Sequence, residues 1–179
     1  MNSNQTKKNR IHTMAGLFLT AAVLTFLDQW TKALAVAHLK DQADLELIPG
    51  VLSFHYLENR GAAFGMLQNQ MVFFLIITTV IMCMILYVLW HMPAGKKHNL
   101  LRLLCYVLTA GAIGNLIDRI RLNYVVDFIY FSLIDFPVFN VADIYVTVSV
   151  VLFIIAILFV YKDEDFQFLS RKALKGEEK

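Results

Sequence analysis

The chain has 179 residues, of which 58% are apolar and 17% are charged, and its mean hydropathy is +0.59. This composition is unusual for a soluble domain and predicts that most of the chain lies in lipid. The formal net charge of +2 does not favour a nucleic-acid partner, because the basic residues stand at the ends of apolar runs and form no patch. Residues 1–179 leave room for a single membrane-embedded domain.

The cysteines and histidines show no metal-binding pattern. Cys83 and Cys105 both fall within apolar runs, and the 5 histidines are scattered without an HExxH motif. We therefore predict no metal site and no cofactor, and we expect both thiols to pack as small apolar side chains.

Four apolar runs follow one another along the chain, each long enough to cross a bilayer as a helix. They cover about residues 14–39, 71–92, 100–120 and 141–161. A helix of about 20 residues, at 1.5 Å per residue, spans the ~30 Å hydrocarbon core of a membrane. The sequence thus predicts an all-α membrane protein with four transmembrane helices.

Lysine and arginine are distributed unevenly between the segments that flank these runs. The connections 40–70 and 121–140 hold only Lys40, Arg60 and Arg121, whereas the other three segments are clearly basic. Because basic segments are retained in the cytoplasm, we predict that both termini are cytoplasmic and that the two connections lie outside.

The two outer connections differ in character. Residues 46–58 contain a Pro-Gly turn and alternating apolar positions at Leu52, Phe54 and Tyr56, which predicts a small extracytoplasmic β-sheet. Residues 124–140 are unusually apolar and are expected to form an interfacial loop that packs onto the helices. The charged segment after Asp163 is expected to be a solvated, frayed end.

Ionisable side chains within or beside the spanning helices are few. Each costs a few kcal/mol at the centre of a bilayer and therefore requires a partner or a function. With the topology above, all of them converge on the outer face of the membrane: Asp28, Lys32, Asp118, Arg119, Asp127 and Asp143.

Helical spacing places several polar residues on common faces. Asp28 and Lys32 are four residues apart, so a structural ion pair competes evenly with a role in the site. Asn115, Asp118 and Arg119 share a stripe that must face protein or a water-filled cleft.

Two further segments have both a functional and a structural interpretation. Asn140 and Asp143 repeat the polar spacing at the start of the last run, where Asp143 alternatively serves as a helix N-terminal cap. Residues 59–65 (NRGAAFG) combine one amide with small side chains, which alone also suits helix packing or a tight turn.

Two aspartates with nearby amide and guanidinium donors can activate water for amide hydrolysis. One carboxylate acts as a base while the other, protonated, acts as an acid. A serine nucleophile, Ser53 or Ser132 assisted by Lys32, is a minor alternative because no GxSxG motif is present.

With these residues identified, the chain resembles lipoprotein signal peptidase, the type II signal peptidase family of bacteria. The resemblance covers nearly the whole chain and rests on five segments in order, namely DQWTK (28–32), NRGAAFG (59–65), GAIGNLIDR (111–119), VVDF (125–128) and FNVAD (139–143). Ala110 replaces the first of two glycines usual in the family, which suggests looser helix packing there.

The resemblance implies that Asp127 and Asp143 form a catalytic pair. Asp118 competes for this role, but expected ion pairs with Lys32 and Arg119 favour Asp127. The implied substrate-binding residues are Asn59, Gly61, Asn115, Arg119 and Asn140, and the implied supporting residues are Asp28, Lys32, Asp118 and Ala142.

The family removes signal peptides from lipid-modified bacterial proproteins. The resemblance therefore implies an aspartic endopeptidase of the bacterial cytoplasmic membrane, with its active site at the outer face, that cuts before a diacylglyceryl-modified cysteine. Its partners would be diacylglyceryl-prolipoproteins and membrane lipid, and residues 124–139 would suit a lid. Two alternatives are an ion-coupled carrier, which usually shows midplane acids and inverted repeats, and a non-catalytic assembly subunit.

Overall fold

The computed structural model describes residues 3–61 and 70–170, which form four long helices and a small sheet. The helices are α1 (Ser3–Leu39), α2 (Met71–His91), α3 (Asn99–Leu122) and α4 (Val141–Phe159). All four are long and apolar enough to cross a membrane, which confirms the predicted spans. The first helix begins well before residue 14, because the polar residues that precede the apolar run continue the same helix.

Helix α3 lies at the centre of the bundle and packs against each of the other three helices. The outward faces are strongly apolar: Phe18 and Phe159 are 78% and 80% exposed, as expected of side chains that contact lipid. Cys105 on α3 is buried as predicted. The expectation for Cys83 is wrong, because α2 packs mainly against α3 and leaves this thiol exposed.

Two glycines on α3 allow its neighbours to approach closely. A Cβ added to Gly111 would lie 2.6 Å from the carbonyl oxygen of Ala142, and one added to Gly114 would lie 2.5 Å from the carboxylate of Asp28. The expected looser packing at Ala110 is not found, since this residue is fully buried and its carbonyl accepts a hydrogen bond from Thr25. Helices α1 and α4 therefore contact α3 tightly beside the polar residues.

The sheet has three antiparallel strands in the order β1 (Leu45–Ile48), β2 (Leu52–Asn59) and β3 (Val125–Tyr130). The predicted hairpin is present, but the third strand comes from the connection that was expected to be an interfacial loop. Its buried side chains pack with Ala35 and Leu39 of α1. The sheet therefore fixes Asp127, which lies within β3, against the helices.

The opposite end of the bundle is covered by a 3₁₀ helix, Asp163–Leu169. The expectation of a solvated, frayed end is wrong for this segment, because Phe166 and Phe168 pack against the core and Asp165 pairs with Lys97. The basic residues at 171–179 and positions 62–65 of the NRGAAFG segment lie outside the described residues.

Candidate active site

Asp127 and Asp143 reach one cleft from different elements. Asp127 lies on β3 and Asp143 in the first turn of α4, and the cleft has a volume of about 480 Å³. Of the other residues predicted for the site, Asn59, Gly61, Asn115 and Arg119 also line it.

Both carboxylates are held by neutral amides. Asp127 accepts hydrogen bonds from the Nδ2 atoms of Asn59 and Asn140, at 2.8 and 2.6 Å. Asp143 accepts one from Asn115 Nδ2 at 2.8 Å and one from the backbone N–H of Asn140 at 3.1 Å. Amide donors fix the position of a carboxyl group without the permanent charge that a cation would impose.

Asn140 and Asp143 also form the N-terminal cap of α4. The backbone N–H of Asp143 donates to Asn140 Oδ1 at 3.0 Å, and the Asp143 carboxylate accepts from the backbone N–H of Asn140 in return. The capping role considered as an alternative for Asp143 therefore coexists with its place in the cleft. Asn140 is fully buried behind the two carboxylates, where its side chain contacts Asp127.

The surroundings of Asp127 favour its protonated form. The pKa of Asp127 is raised from its ordinary value to about 7, first by burial and then by the charge of Asp143, while hydrogen bonds from Asn59 and Asn140 oppose the rise. A carboxyl group with this pKa is able to hold or release a proton near neutral pH, as general acid–base chemistry requires.

Lys32 lies at the centre of a buried cluster behind the cleft. Its Nζ is 3.0 Å from carboxylate oxygens of both Asp28 and Asp118, and it donates to Asn115 Oδ1 at 2.9 Å. These three contacts are to two carboxylates and an amide, and none is to a serine. The geometry therefore disfavours the serine alternative.

Asp118 is enclosed and does not line the cleft. Its carboxylate accepts hydrogen bonds from Gln29 Nε2 at 2.8 Å and from the backbone N–H of Val126 at 3.1 Å. The expected pairing with Arg119 is not observed, because that guanidinium lies 4.7 Å from the ring centroid of Phe74. Through these two hydrogen bonds, Asp118 on α3 connects β3 to helices α1 and α3.

Asp28 provides a similar attachment for α4. It is fully buried, and its Oδ1 accepts a hydrogen bond from the backbone N–H of Ala142 at 2.9 Å. Gln29 connects this group to Asp118, since its Nε2 also lies 3.3 Å from Asp28 Oδ2. The sequence analysis missed Gln29, although a polar residue adjoining Asp28 within a spanning helix was an available signal.

The remaining walls of the cleft are largely apolar. They consist of Phe74 on α2, residues 136–139 of the connection after β3, and Ile144, Thr147 and Val148 on α4. On the opposite wall, the backbone N–H of Gly61 donates to Asn59 Oδ1 at 2.9 Å and turns the amide nitrogen of Asn59 towards Asp127. The site can therefore accept an extended chain with apolar substituents beside a buried acid pair.

Comparison with known proteins identifies the family. The model for signal peptidase (SPase) II matches residues 20–159. A lipoprotein signal peptidase of Streptococcus thermophilus is 45% identical over 139 residues, which cover 78% of this chain and 88% of the relative. Another from Streptococcus pyogenes is 41% identical over 149 residues, which cover 83% and 94%.

A solved bacterial membrane enzyme has a similar structure. It superposes with a TM-score of 0.70 and 36% identity, over 82% of this chain and 95% of that one. The sequence and structural matches agree with the four spans and the small sheet described above. The chain therefore belongs to the signal peptidase II family of bacterial membrane proteins.

Proposed function

We propose that this signal peptidase is an aspartic endopeptidase that cuts lipid-modified proproteins with a water molecule activated by Asp127 and Asp143. One observation carries the proposal: the two carboxyl groups lie in a single, largely apolar cleft, and their hydrogen-bond donors among the described residues are all amides. In this proposal, residues 1–179 act as one membrane-embedded domain.

The reaction needs one proton shared between the two carboxyl groups. The ionised member removes a proton from water, whose oxygen attacks the carbonyl carbon of the scissile bond, while the protonated member donates to the carbonyl oxygen. As the tetrahedral intermediate collapses, one of its hydroxyl groups returns a proton to the carboxylate that donated it, the C–N bond breaks, and the proton taken from water passes to the leaving nitrogen. Asn59, Asn115 and Arg119 line the cleft, which supports a role for them in binding the peptide backbone or the developing oxyanion.

The apolar walls support a lipid-modified substrate. A diacylglyceryl group on the cysteine that follows the scissile bond would lie against Phe74, Ile144 and Val148, while the peptide passes the aspartates. The connection after β3 contributes residues 136–139 to the same cleft, which supports a covering role for it.

We also propose that both termini are cytoplasmic and that the cleft opens at the outer face of the bacterial membrane. The Lys/Arg distribution supports this orientation. A fused reporter that is active only outside the cytoplasm should be silent at Lys179, and activity there would reverse the topology.

Cleavage of a defined substrate by the reconstituted protein tests the function. The substrate is a proprotein that carries diacylglyceryl on its cysteine, and mass spectrometry locates the cut. We expect release of the signal peptide with the lipidated cysteine as the new N-terminus. If the folded protein does not cleave this substrate, the proposal is overturned. A carrier or a non-catalytic assembly subunit then becomes the better interpretation.

A matched substrate tests the role of the lipid. In it, the same cysteine is left unmodified and every other residue is unchanged. We expect a large loss of kcat/KM, because the substrate then lacks the diacylglyceryl group that the apolar walls would contact. Equal cleavage of both substrates would remove the lipid from the proposal and leave the peptidase activity intact.

A further inference from the structure

A second cavity lies at the end of the bundle opposite the aspartates. It has a volume of about 290 Å³ and lies between the start of α1, the end of α2 and the start of α3. Arg10 and Arg102 both line it, together with His12 and His91, and no acidic residue is among the described residues of its lining. The proposed cleavage reaction does not involve this cavity.

Among the residues that the structure describes, the two arginines contact backbone carbonyls, an amide and an aromatic ring and no carboxylate. Arg10 Nε donates to the backbone carbonyl of Trp90 at 3.2 Å, and the Arg10 guanidinium lies 4.9 Å from the centroid of the Trp90 ring. Arg102 donates to Asn99 Oδ1 and to the carbonyl of Pro93, while its buried Nε has no hydrogen-bond partner. Neither guanidinium forms an ion pair with a carboxylate of residues 3–61 or 70–170, so no described acidic residue compensates the two positive charges in the cavity.

An apolar groove continues from this cavity along α1. Its lining includes Ile11, Met14 and Phe18, and it shares Arg10 and Trp90 with the cavity. The helix rises about 12 Å from residue 10 to residue 18 at 1.5 Å per residue. The basic cavity and the apolar groove are therefore adjacent, and the groove is long enough for part of an acyl chain.

We infer that this cavity and groove together bind an anionic phospholipid. The phosphate lies between Arg10 and Arg102, and one acyl chain follows the groove past Met14 to Phe18. Arginine matches phosphate with paired N–H donors, and basic pockets at the ends of spanning helices select anionic headgroups. A lipid with a net negative charge compensates both arginines better than a zwitterionic one, which carries its own cation.

Fluorescence of Trp90 gives a direct readout, because this ring forms a wall of both the cavity and the groove. The chain has 2 tryptophans, so a Trp30→Phe background isolates the signal. The protein is reconstituted in phosphatidylcholine that contains a small fraction of lipid with brominated chains. We expect brominated phosphatidylglycerol to quench Trp90 more strongly than brominated phosphatidylcholine at equal content. Equal quenching by the two lipids would overturn the inference.

Three variants separate the site from general charge. Arg10→Gln and Arg102→Gln should each lower the preference for the anionic lipid about fivefold. Lys96→Gln removes an exposed cation at the same end that does not line the cavity, and it should leave the preference unchanged. An equal loss in Lys96→Gln would reduce the effect to surface charge and contradict a built site.

The Arg102 variant risks disturbing the loop that this side chain holds, so Arg10→Gln decides the result if Arg102→Gln does not fold. Millimolar inorganic phosphate is the final probe. It should not relieve quenching by the brominated anionic lipid, because it lacks the acyl chain. Full relief would overturn the lipid assignment and leave a simple phosphate site.

Discussion

The side chain of Asn140 contacts three polar residues of the candidate active site. Its Nδ2 donates to Asp127 at 2.6 Å and lies 3.1 Å from Asn115 Oδ1, and its Oδ1 accepts from the backbone N–H of Asp143. Asn115 Oδ1 also accepts from Lys32, which turns the Asn115 amide nitrogen towards Asp143. The orientation of each amide is therefore determined by a charged or capping group behind it.

Exchange of Asp127 for asparagine should separate catalysis from folding. Asp127→Asn keeps the shape but removes the group that exchanges a proton in the proposed mechanism, so kcat should fall by several orders of magnitude, given ~10² to 10⁴ for each acid or base. One amide donor loses its acceptor, which costs about 1–2 kcal/mol of the free energy of unfolding. Cleavage kinetics and thermal unfolding measure the two effects.

Asp118→Asn is the matched comparison. Because Asp118 pairs with the buried Lys32, this variant should lose roughly 3–5 kcal/mol of stability, and its cleavage should fall with the folded fraction. If folded Asp127→Asn cleaves at a near wild-type rate while folded Asp118→Asn is inactive, then Asp118 replaces Asp127 in the pair.

The raised pKa of Asp127 predicts how stability depends on pH. The folded pKa is about 7, above the ordinary value of 3.8, so the folded state binds more protons than the unfolded state between these two values. Stability from this group is fully present below about pH 4 and is lost as the pH rises towards 7. Unfolding midpoints should fall over this range in the wild type and fall less in Asp127→Asn. Identical slopes would contradict the assignment.

Among the helices and strands, the sequence predicts those elements that local hydropathy and turn residues define. The four spans are recovered because each is a continuous apolar run, and the Pro-Gly turn reveals the hairpin of β1 and β2. Strand β3 is missed because Val125–Tyr130 is apolar except for Asp127 and shows no alternation, and its pairing with the distant strand β2 is not visible in the local sequence.

In the candidate site too, some features are predictable from the sequence and others depend on tertiary packing. Spacing and resemblance place Asn59, Asn115, Asp127 and Asp143 near one another, and the structure brings them to one cleft. Spacing along the chain cannot show that Arg119 lies against the Phe74 ring, or that Gln29 donates a hydrogen bond to Asp118. These contacts depend on how three helices rotate against one another.

Close helix contact at Gly111 should be essential for the bundle. In Gly111→Ala, the new methyl group meets the carbonyl oxygen of Ala142, which belongs to the backbone and cannot move aside. We expect a loss of about 1–3 kcal/mol, measured by thermal unfolding in detergent. Gly16→Ala is the control, since its methyl group meets only the Tyr106 ring at 3.1 Å. A larger loss in Gly16→Ala than in Gly111→Ala would contradict this account.

Across the whole molecule, the two ends of the bundle carry different structural features. One end carries the sheet, the buried acids and the cleft. The other is covered by Asp163–Leu169 and holds the arginine cavity. Helix α3 contributes to both ends, because Arg102 lines the arginine cavity and Asn115 and Arg119 line the cleft.

The cleft also reaches the side of the bundle. Ile144 and Val148 line it on α4 and are 40% and 49% exposed, so the apolar wall beside the acids continues onto the surface that faces lipid. If the substrate is anchored by its acyl chains, as we propose, it meets the enzyme by lateral diffusion in two dimensions. Its effective concentration is a mole fraction of the lipid or detergent phase and not an amount per volume of water.

This surface-dilution behaviour can be measured directly. With enzyme and substrate fixed, a tenfold addition of mild detergent should lower the initial rate up to tenfold when the substrate is below saturation. A proportional addition of substrate should restore the rate, which excludes inhibition by the detergent itself. A rate that depended only on bulk substrate concentration would show that the lateral opening is not the route of entry.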